Sequence, residues 1–146
     1  MSVVRLEPLT PENVRAACDL RVAPGQEALV EPNAISIAEA YVHAQAWCRA
    51  VYAGGDLVGF VMLHDTDQGP GYMLWRLMID ARFQGRGFGR EVVEQVAGYV
   101  RDRPGATELK VSVHPGAGSP APFYESLGFR ATGERSGDQP VYSRPL

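Results

Sequence analysis

From Tyr72 to Val100 the chain passes through an apolar segment, a glycine-rich turn and a helical repeat without interruption. The apolar segment, Tyr72-Met73-Leu74-Trp75-Arg76-Leu77-Met78-Ile79, is broken only by Arg76 and bounded by Gly71 and Asp80. It is long enough for a buried strand and too short for a helix between such boundaries. Asp80-Ala81-Arg82-Phe83 reads as a turn. Gln84-Gly85-Arg86-Gly87-Phe88-Gly89 follows, with glycines at alternate positions and Arg86 and Arg90 close by. Val92, Val93, Val96 and Val100 then recur at helical spacing. The order is strand, glycine-rich turn, helix.

That order has a chemical use. The first turn of a helix leaves backbone N–H groups without partners, and the helix dipole places partial positive charge there. Glycines admit a bulky anion to those groups with no Cβ in the way. Arginines add forked donors suited to phosphate oxygens. The backbone of Gln84, Gly85, Arg86, Gly87, Phe88 and Gly89, with Arg90 beside it, is therefore a candidate pyrophosphate cradle. A Walker-type loop is excluded, because Gly89-Arg90-Glu91 stands where Gly-Lys-Ser/Thr is required. A dinucleotide fold wants Gly-x-Gly-x-x-Gly near the first strand, whereas this is Gly-x-Gly-x-Gly more than halfway along the chain. From the glycines alone, a turn that merely packs a helix on a sheet stays open as the alternative.

Two segments carry a family resemblance. Gln84-x-x-Gly87-x-Gly89, after an apolar strand and opening a helix, resembles the acetyl-CoA-binding signature of the GNAT superfamily of N-acetyltransferases. Phe123-Tyr124-Glu125-Ser126-Leu127-Gly128-Phe129 resembles that superfamily's Tyr-x-x-x-Gly-Phe segment, in the right order and at a fitting separation. The likeness covers the chain well from about Val51 to the end and the first fifty residues only loosely.

Composition sets outer bounds. At 146 residues the chain is one domain of ordinary size, 1–146, with enough length for a core that needs no staples. Apolar content is normal, and no window approaches a membrane span. The N-terminus shows no secretory pattern, so a cytoplasmic location is expected. Cys18 and Cys48 lie in apolar-patterned segments without CxxC spacing and read as buried free thiols. His43, His64 and His114 lack ligand spacing, so no metal site is expected. A formal charge of −3 disfavours nucleic acid or anionic membrane as partner.

Along the chain, Val3 to Glu7 reads as a first strand, and Thr10-Pro11 as N-cap and first position of a short helix to about Leu20. Arg21 to Pro32 reads as loop. Ser36-Ile37-Ala38-Glu39 has the form of a capping box opening a second helix. Ala50 to Ala53, Gly54-Gly55-Asp56 and Leu57 to Leu63 form a hairpin pattern. A strand from Glu108 to Val113, a short helix capped by Ser119-Pro120 and ended by Gly128, and two C-terminal strands complete the reading. Strands with helices between them give a mixed α/β (α+β) sheet in one domain. The resemblance sharpens this to a mostly antiparallel sheet of about six or seven strands flanked by about four helices, splayed beside the central strand with acetyl-CoA in the splay.

What the resemblance implies is acetyl transfer from a thioester to an amine, with acetyl-CoA as cosubstrate. The donor must be held, the amine neutral, the developing oxyanion stabilised and the departing thiolate protonated. The main chain of Leu77, Met78 and Ile79 would pair with the pantetheine arm, and the Met78 N–H would meet the acetyl oxygen. Tyr124 would direct its phenol at the sulfur and donate the proton. Two features depart from the family pattern. The central strand holds no Glu as base, which leaves a water relay to Glu31, Glu27 or His114, or loss of the proton to solvent. No Asn precedes Tyr124, and Ser119 stands as the replacement contact or as an N-cap.

Ser36-Ile37-Ala38-Glu39-Ala40, Leu57-Val58-Gly59-Phe60, Ile79 to Gly85 and Gly133-Glu134 also resemble bacterial spermine/spermidine acetyltransferases. A polyamine acceptor would place its ammonium groups against Glu27 and Glu31. A protein N-terminus, an amino acid or an aminoglycoside is the alternative acceptor, and a non-catalytic coenzyme A sensor or a pure interaction module the alternative class. Edge strands near the C-terminus offer a homodimer contact.

Overall fold

The computed structural model describes residues 3–146. Strands β1 (Val4–Glu7), β2 (Ala46–Ala53), β3 (Asp56–His64), β4 (Met73–Ile79), β5 (Glu108–Ser112), β6 (Arg130–Ser136) and β7 (Gln139–Pro145) make one sheet in the order β1-β2-β3-β4-β5-β7-β6. Every pairing is antiparallel except that of β4 with β5. Helices α1 (Val14–Asp19), α2 (Asn33–Val42), α3 (Phe88–Arg101) and α4 (Ala121–Ser126) cover it.

The centre of the sheet is buried on both faces, which is why β3 reads as an unbroken apolar run instead of an alternation. Val61 and Leu63 point to the side where α3 lays down Val92, Val93, Val96, Ala97 and Val100. Phe60 and Met62 point the other way, into a second cluster with Leu20 and Met78 that Ile37 and Ala40 of α2 close. All five buried α3 residues are fully inaccessible. Burying each of the four valines contributes roughly 1.5–3 kcal/mol, which holds α3 to the sheet.

Several local expectations shift. Helix α1 starts at Val14 with Asn13 as N-cap, because Thr10 and Asn13 instead close a turn on each other: Thr10 N–H donates to Asn13 Oδ1 at 2.8 Å, and Asn13 N–H to Thr10 Oγ1 at 3.2 Å. Helix α2 starts at Asn33, so Ser36 sits inside it and caps nothing. Strand β2 begins at Ala46, four residues ahead of the expected hairpin arm, and β7 inserts between β5 and β6. Cys18 and Cys48 are free as expected but only half-buried. Burial raises the Cys48 thiol to about 11 despite Arg49 and Arg76. No helix among the described residues is long and apolar enough to cross a membrane.

The feature that positions a site is the break between β4 and β5. Only Met73 and Leu74 pair with β5, opposite Lys110 and Val111. At the same point the register with β3 slips: Leu63 faces Leu74, but Met62 faces Arg76, leaving Trp75 as an extra residue. Such a bulge bends a strand and increases its twist. From Trp75 onward, β4 keeps β3 on one side and has no strand on the other.

Candidate active site

The gap opens into a cleft of about 1260 Å³ lined by β4 from Leu74 to Ile79, the glycine turn, the start of α3, the loop from Gln26 to Pro32, and Tyr124. Its floor is backbone. Asp80 N–H donates to the Val58 carbonyl at 2.8 Å, so position 80 turns its peptide groups toward β3. Peptide groups alternate sides along an antiparallel strand. Met78, which pairs with Phe60, therefore also faces β3. Leu77 and Ile79 face the gap. The Met78 N–H, expected at the acetyl oxygen, therefore lies on the β3 side of the strand, and those of Leu77 and Ile79 lie on the gap side.

Beyond β4, Asp80 organises the turn. Its buried carboxylate accepts from the Arg82 amide (3.0 Å), the Arg82 Nε (2.8 Å) and the Arg21 amide (3.0 Å). Burial alone would raise its pKa, but the bonds from the Arg82 side chain and from the Arg21 and Arg82 amides outweigh that and hold Asp80 below the usual carboxylate range. Gln84 ties the next residue of the turn down, donating to the Ile79 carbonyl and to Gln26 Oε1, both at 2.9 Å. The side-chain nitrogen of Gln84 is thus structural.

After Gln84 the backbone is free. Gly85 and Gly87 have φ of +79° and +83°, the left-handed region that suits glycine. A Cβ at either would meet no atom within 4 Å, so the space before them is open. Among the described residues no protein group accepts from the amides of positions 84–90; the first helical bond is Glu91 N–H to the Gly87 carbonyl. These donors lie at the head of a 14-residue helix, where partial positive charge accumulates. Arg90 lines the cleft, whereas Arg86 stands just outside it with its guanidinium 5.5 Å from the Phe83 ring. The arrangement fits a diphosphate. Gly89 has a packing duty besides, since a Cβ there would touch Phe123 at 3.4 Å.

Tyr124 stands on α4 across the cleft, 7% exposed, with its ring edge-on to Phe123 and Phe129. Burial raises its phenol above the ordinary value, so it stays protonated. Its hydroxyl makes no hydrogen bond with the described residues, and no sealed side-chain nitrogen or oxygen among them lacks a partner. The Oη is therefore without a hydrogen-bond partner among the described residues and not fully sealed. Ser119 lies outside the cleft lining, one residue ahead of the N-cap Pro120, and its Oγ accepts from the Ala121 amide at 3.2 Å. Glu27 and Glu31 are exposed at the mouth. Glu27 accepts from the Gly25 amide at 2.8 Å. His114 lines the cleft half-buried, with Nδ1 3.0 Å from the Pro115 carbonyl.

Sequence reasoning missed two partnerships. Arg76 Nη1 reaches Glu39 at 2.6 Å and Ser36 at 2.8 Å, so the two residues read as a capping box both turn inward to one guanidinium. The turn from Ser136 to Gln139 also lines the cleft, although it lies far along the chain. Nothing local marks either one.

Comparison with known proteins agrees with this geometry. Over 137 residues, 90% of each chain, the sequence is 26% identical to the spermine/spermidine N(1)-acetyltransferase of Bacillus subtilis (strain 168). It is 29% identical over 79 residues to an L-2,4-diaminobutyric acid acetyltransferase of Streptomyces avermitilis, covering 48% of this chain and 44% of that one. Its fold superposes on a PaiA N-acetyltransferase from Thermoplasma acidophilum, solved in complex with coenzyme A, with a TM-score of 0.72 at 16% identity and 100% coverage of both chains. The acetyltransferase (GNAT) family matches residues 12–129, most of the chain, and this protein accordingly belongs to that family.

Proposed function

We propose that the chain transfers the acetyl group of acetyl-CoA to a primary amine of a small molecule, by direct attack within a ternary complex. One observation carries this reading: Gln84, Gly85 and Gly87 to Arg90, whose amides have no protein acceptor, line the same cleft as Tyr124, whose hydroxyl has no hydrogen-bond partner among the described residues. When bound, acetyl-CoA supplies an acetyl group activated as a thioester. The amides at the head of α3, with Arg90, hold its diphosphate. The gap-facing edges of Leu77 and Ile79 hold the pantetheine arm as a neighbouring strand would. Tyr124 keeps a proton at its Oη for the departing sulfur, as any phenol does at neutral pH, and burial raises its pKa further. No carboxylate stands on β4. The incoming ammonium sheds its proton through the open mouth, where Glu27 and Glu31 are exposed to water.

Two acceptor chemistries fit. A polyamine is supported by the Bacillus relative and by the carboxylates of Glu27 and Glu31 at the mouth. A diamino acid is supported by the Streptomyces relative and by Arg76 on the cleft wall. A thiol-release assay with acetyl-CoA against polyamines, amino acids, aminoglycosides and peptides with free N-termini tests the proposal. Turnover on a small amine is the expected result. Calorimetric binding of coenzyme A with no turnover on any amine would make the chain a sensor, and no affinity for coenzyme A would overturn both readings.

A further inference from the structure

We infer that Arg76 is an anion subsite in the acceptor half of the cleft, and that the amine acetylated here carries a carboxylate a few bonds from its nitrogen. This deepens the reading of the cleft as an acetyl-transfer site and rests on it. Arg76 is the one charged residue of β4, and it follows the bulged Trp75 directly. It lies on the side of the sheet facing α2, as does Met78, whose sulfur accepts from Asn33 Nδ2 at 3.5 Å. The loop carrying Glu27 and Glu31 leads into that same helix. The acceptor wall is therefore opposite to the α3 side, where the diphosphate cradle lies.

The state of the guanidinium carries the inference. Its Nη1 is anchored by Ser36 Oγ and Glu39 Oε1, and Ser36 is wholly inaccessible. The side chain is 16% exposed. Its Nε and Nη2 have no hydrogen-bond partner among the described residues, where the guanidinium also lies 5.8 Å from the Trp75 ring, and no sealed side-chain nitrogen there lacks such a partner. These two nitrogens are thus not sealed from solvent, and their residue lines the cleft. They form one edge of a planar fork, which receives both oxygens of a carboxylate in parallel. Anchoring at Nη1 fixes the plane beforehand, so a ligand loses less freedom in using it. A purely cationic acceptor has no group for this edge. An amine with a nearby carboxylate meets the guanidinium on the wall and the acidic residues at the mouth with complementary charge.

The test compares each diamine with its carboxylated counterpart: 1,3-diaminopropane with 2,4-diaminobutyrate, and putrescine with ornithine. The readout is the ratio of kcat/KM within a pair, for wild type and for Arg76→Gln. A fork-to-carboxylate contact predicts a wild-type preference for the carboxylated member of roughly 10- to 100-fold, collapsing toward unity in the variant. A merely structural Arg76 would lower both rates and leave the ratio alone, which would overturn the inference. Should Arg76→Gln fail to fold, wild type decides by itself: no preference within either pair sinks the subsite. Calorimetry of the same amines, with coenzyme A present, separates this from the parent reading. Arg76-dependent binding of the carboxylated amine without turnover would overturn acetyl transfer while leaving the subsite standing.

Discussion

At the residue scale, Tyr124 and Gly87 separate chemistry from binding. Removing the Tyr124 hydroxyl deletes the proton donor and leaves its ring packing against Phe123 and Phe129. Tyr124→Phe should therefore lower kcat by about 100-fold or more, with coenzyme A affinity nearly unchanged in calorimetry. The same substitution has a pH signature. The folded phenol holds its proton above the value of the unfolded chain, so stability is complete below about pH 10 and falls as pH rises past it. Melting temperatures above pH 10 should decline less in Tyr124→Phe, while Tyr99, also raised by burial and by Asp65, keeps part of the decline. Gly87 tests the cradle. An Asp there has room for its Cβ and tolerates the left-handed backbone better than most residues, so the fold survives. Its carboxylate would sit before the free amides, and coenzyme A binding should drop below detection at millimolar ligand.

At the scale of elements, the strand-turn-helix unit was legible because its causes are local. An apolar run bounded by Gly71 and Asp80, glycines with positive φ, and a valine stripe with helical period each speak within a few residues. Helix α2 was half legible for the opposite reason. Its existence followed from pattern, but Ser36 and Glu39 satisfy a capping motif while their true partner, Arg76, lies on another strand. The role of Met78 was lost the same way, since which peptide faces the gap depends on the register of β3. That register has its own control point. A Cβ on Gly59 would clash with the Met78 carbonyl oxygen and stand 2.8 Å from Ile79 Cδ1. Gly59→Ala should destabilise the fold by roughly 1–3 kcal/mol through overpacking. It should also weaken coenzyme A binding, because the displaced backbone is the floor of the cleft. A melting curve with coenzyme A titrations checks both; unchanged affinity would mean that β4 absorbs the methyl elsewhere.

At the scale of the molecule, the C-terminal edge bears on self-association. All seven residues of β6 are exposed, its register with β7 breaks between Ala131 and Arg135, and Arg130, Glu134 and Arg135 charge it. These are features that discourage strand addition, so a homodimer through this edge would have to pair around the break. The interior split between β4 and β5 is the more consequential opening. Two residue pairs join the β1–β4 half of the sheet to the β5–β7 half. A molecule lying along β4 beyond Leu74 therefore serves as an eighth, borrowed strand, and occupancy becomes part of the protein's own cohesion. Hydrogen–deuterium exchange should register this as slowed exchange at the Leu77 and Ile79 amides when coenzyme A is added, with Met78, already bonded to β3, unchanged. Slowing confined to Met78 would reverse the facing assigned to the strand. Turnover, on this view, is a cycle in which the enzyme repeatedly finishes and unfinishes its own architecture.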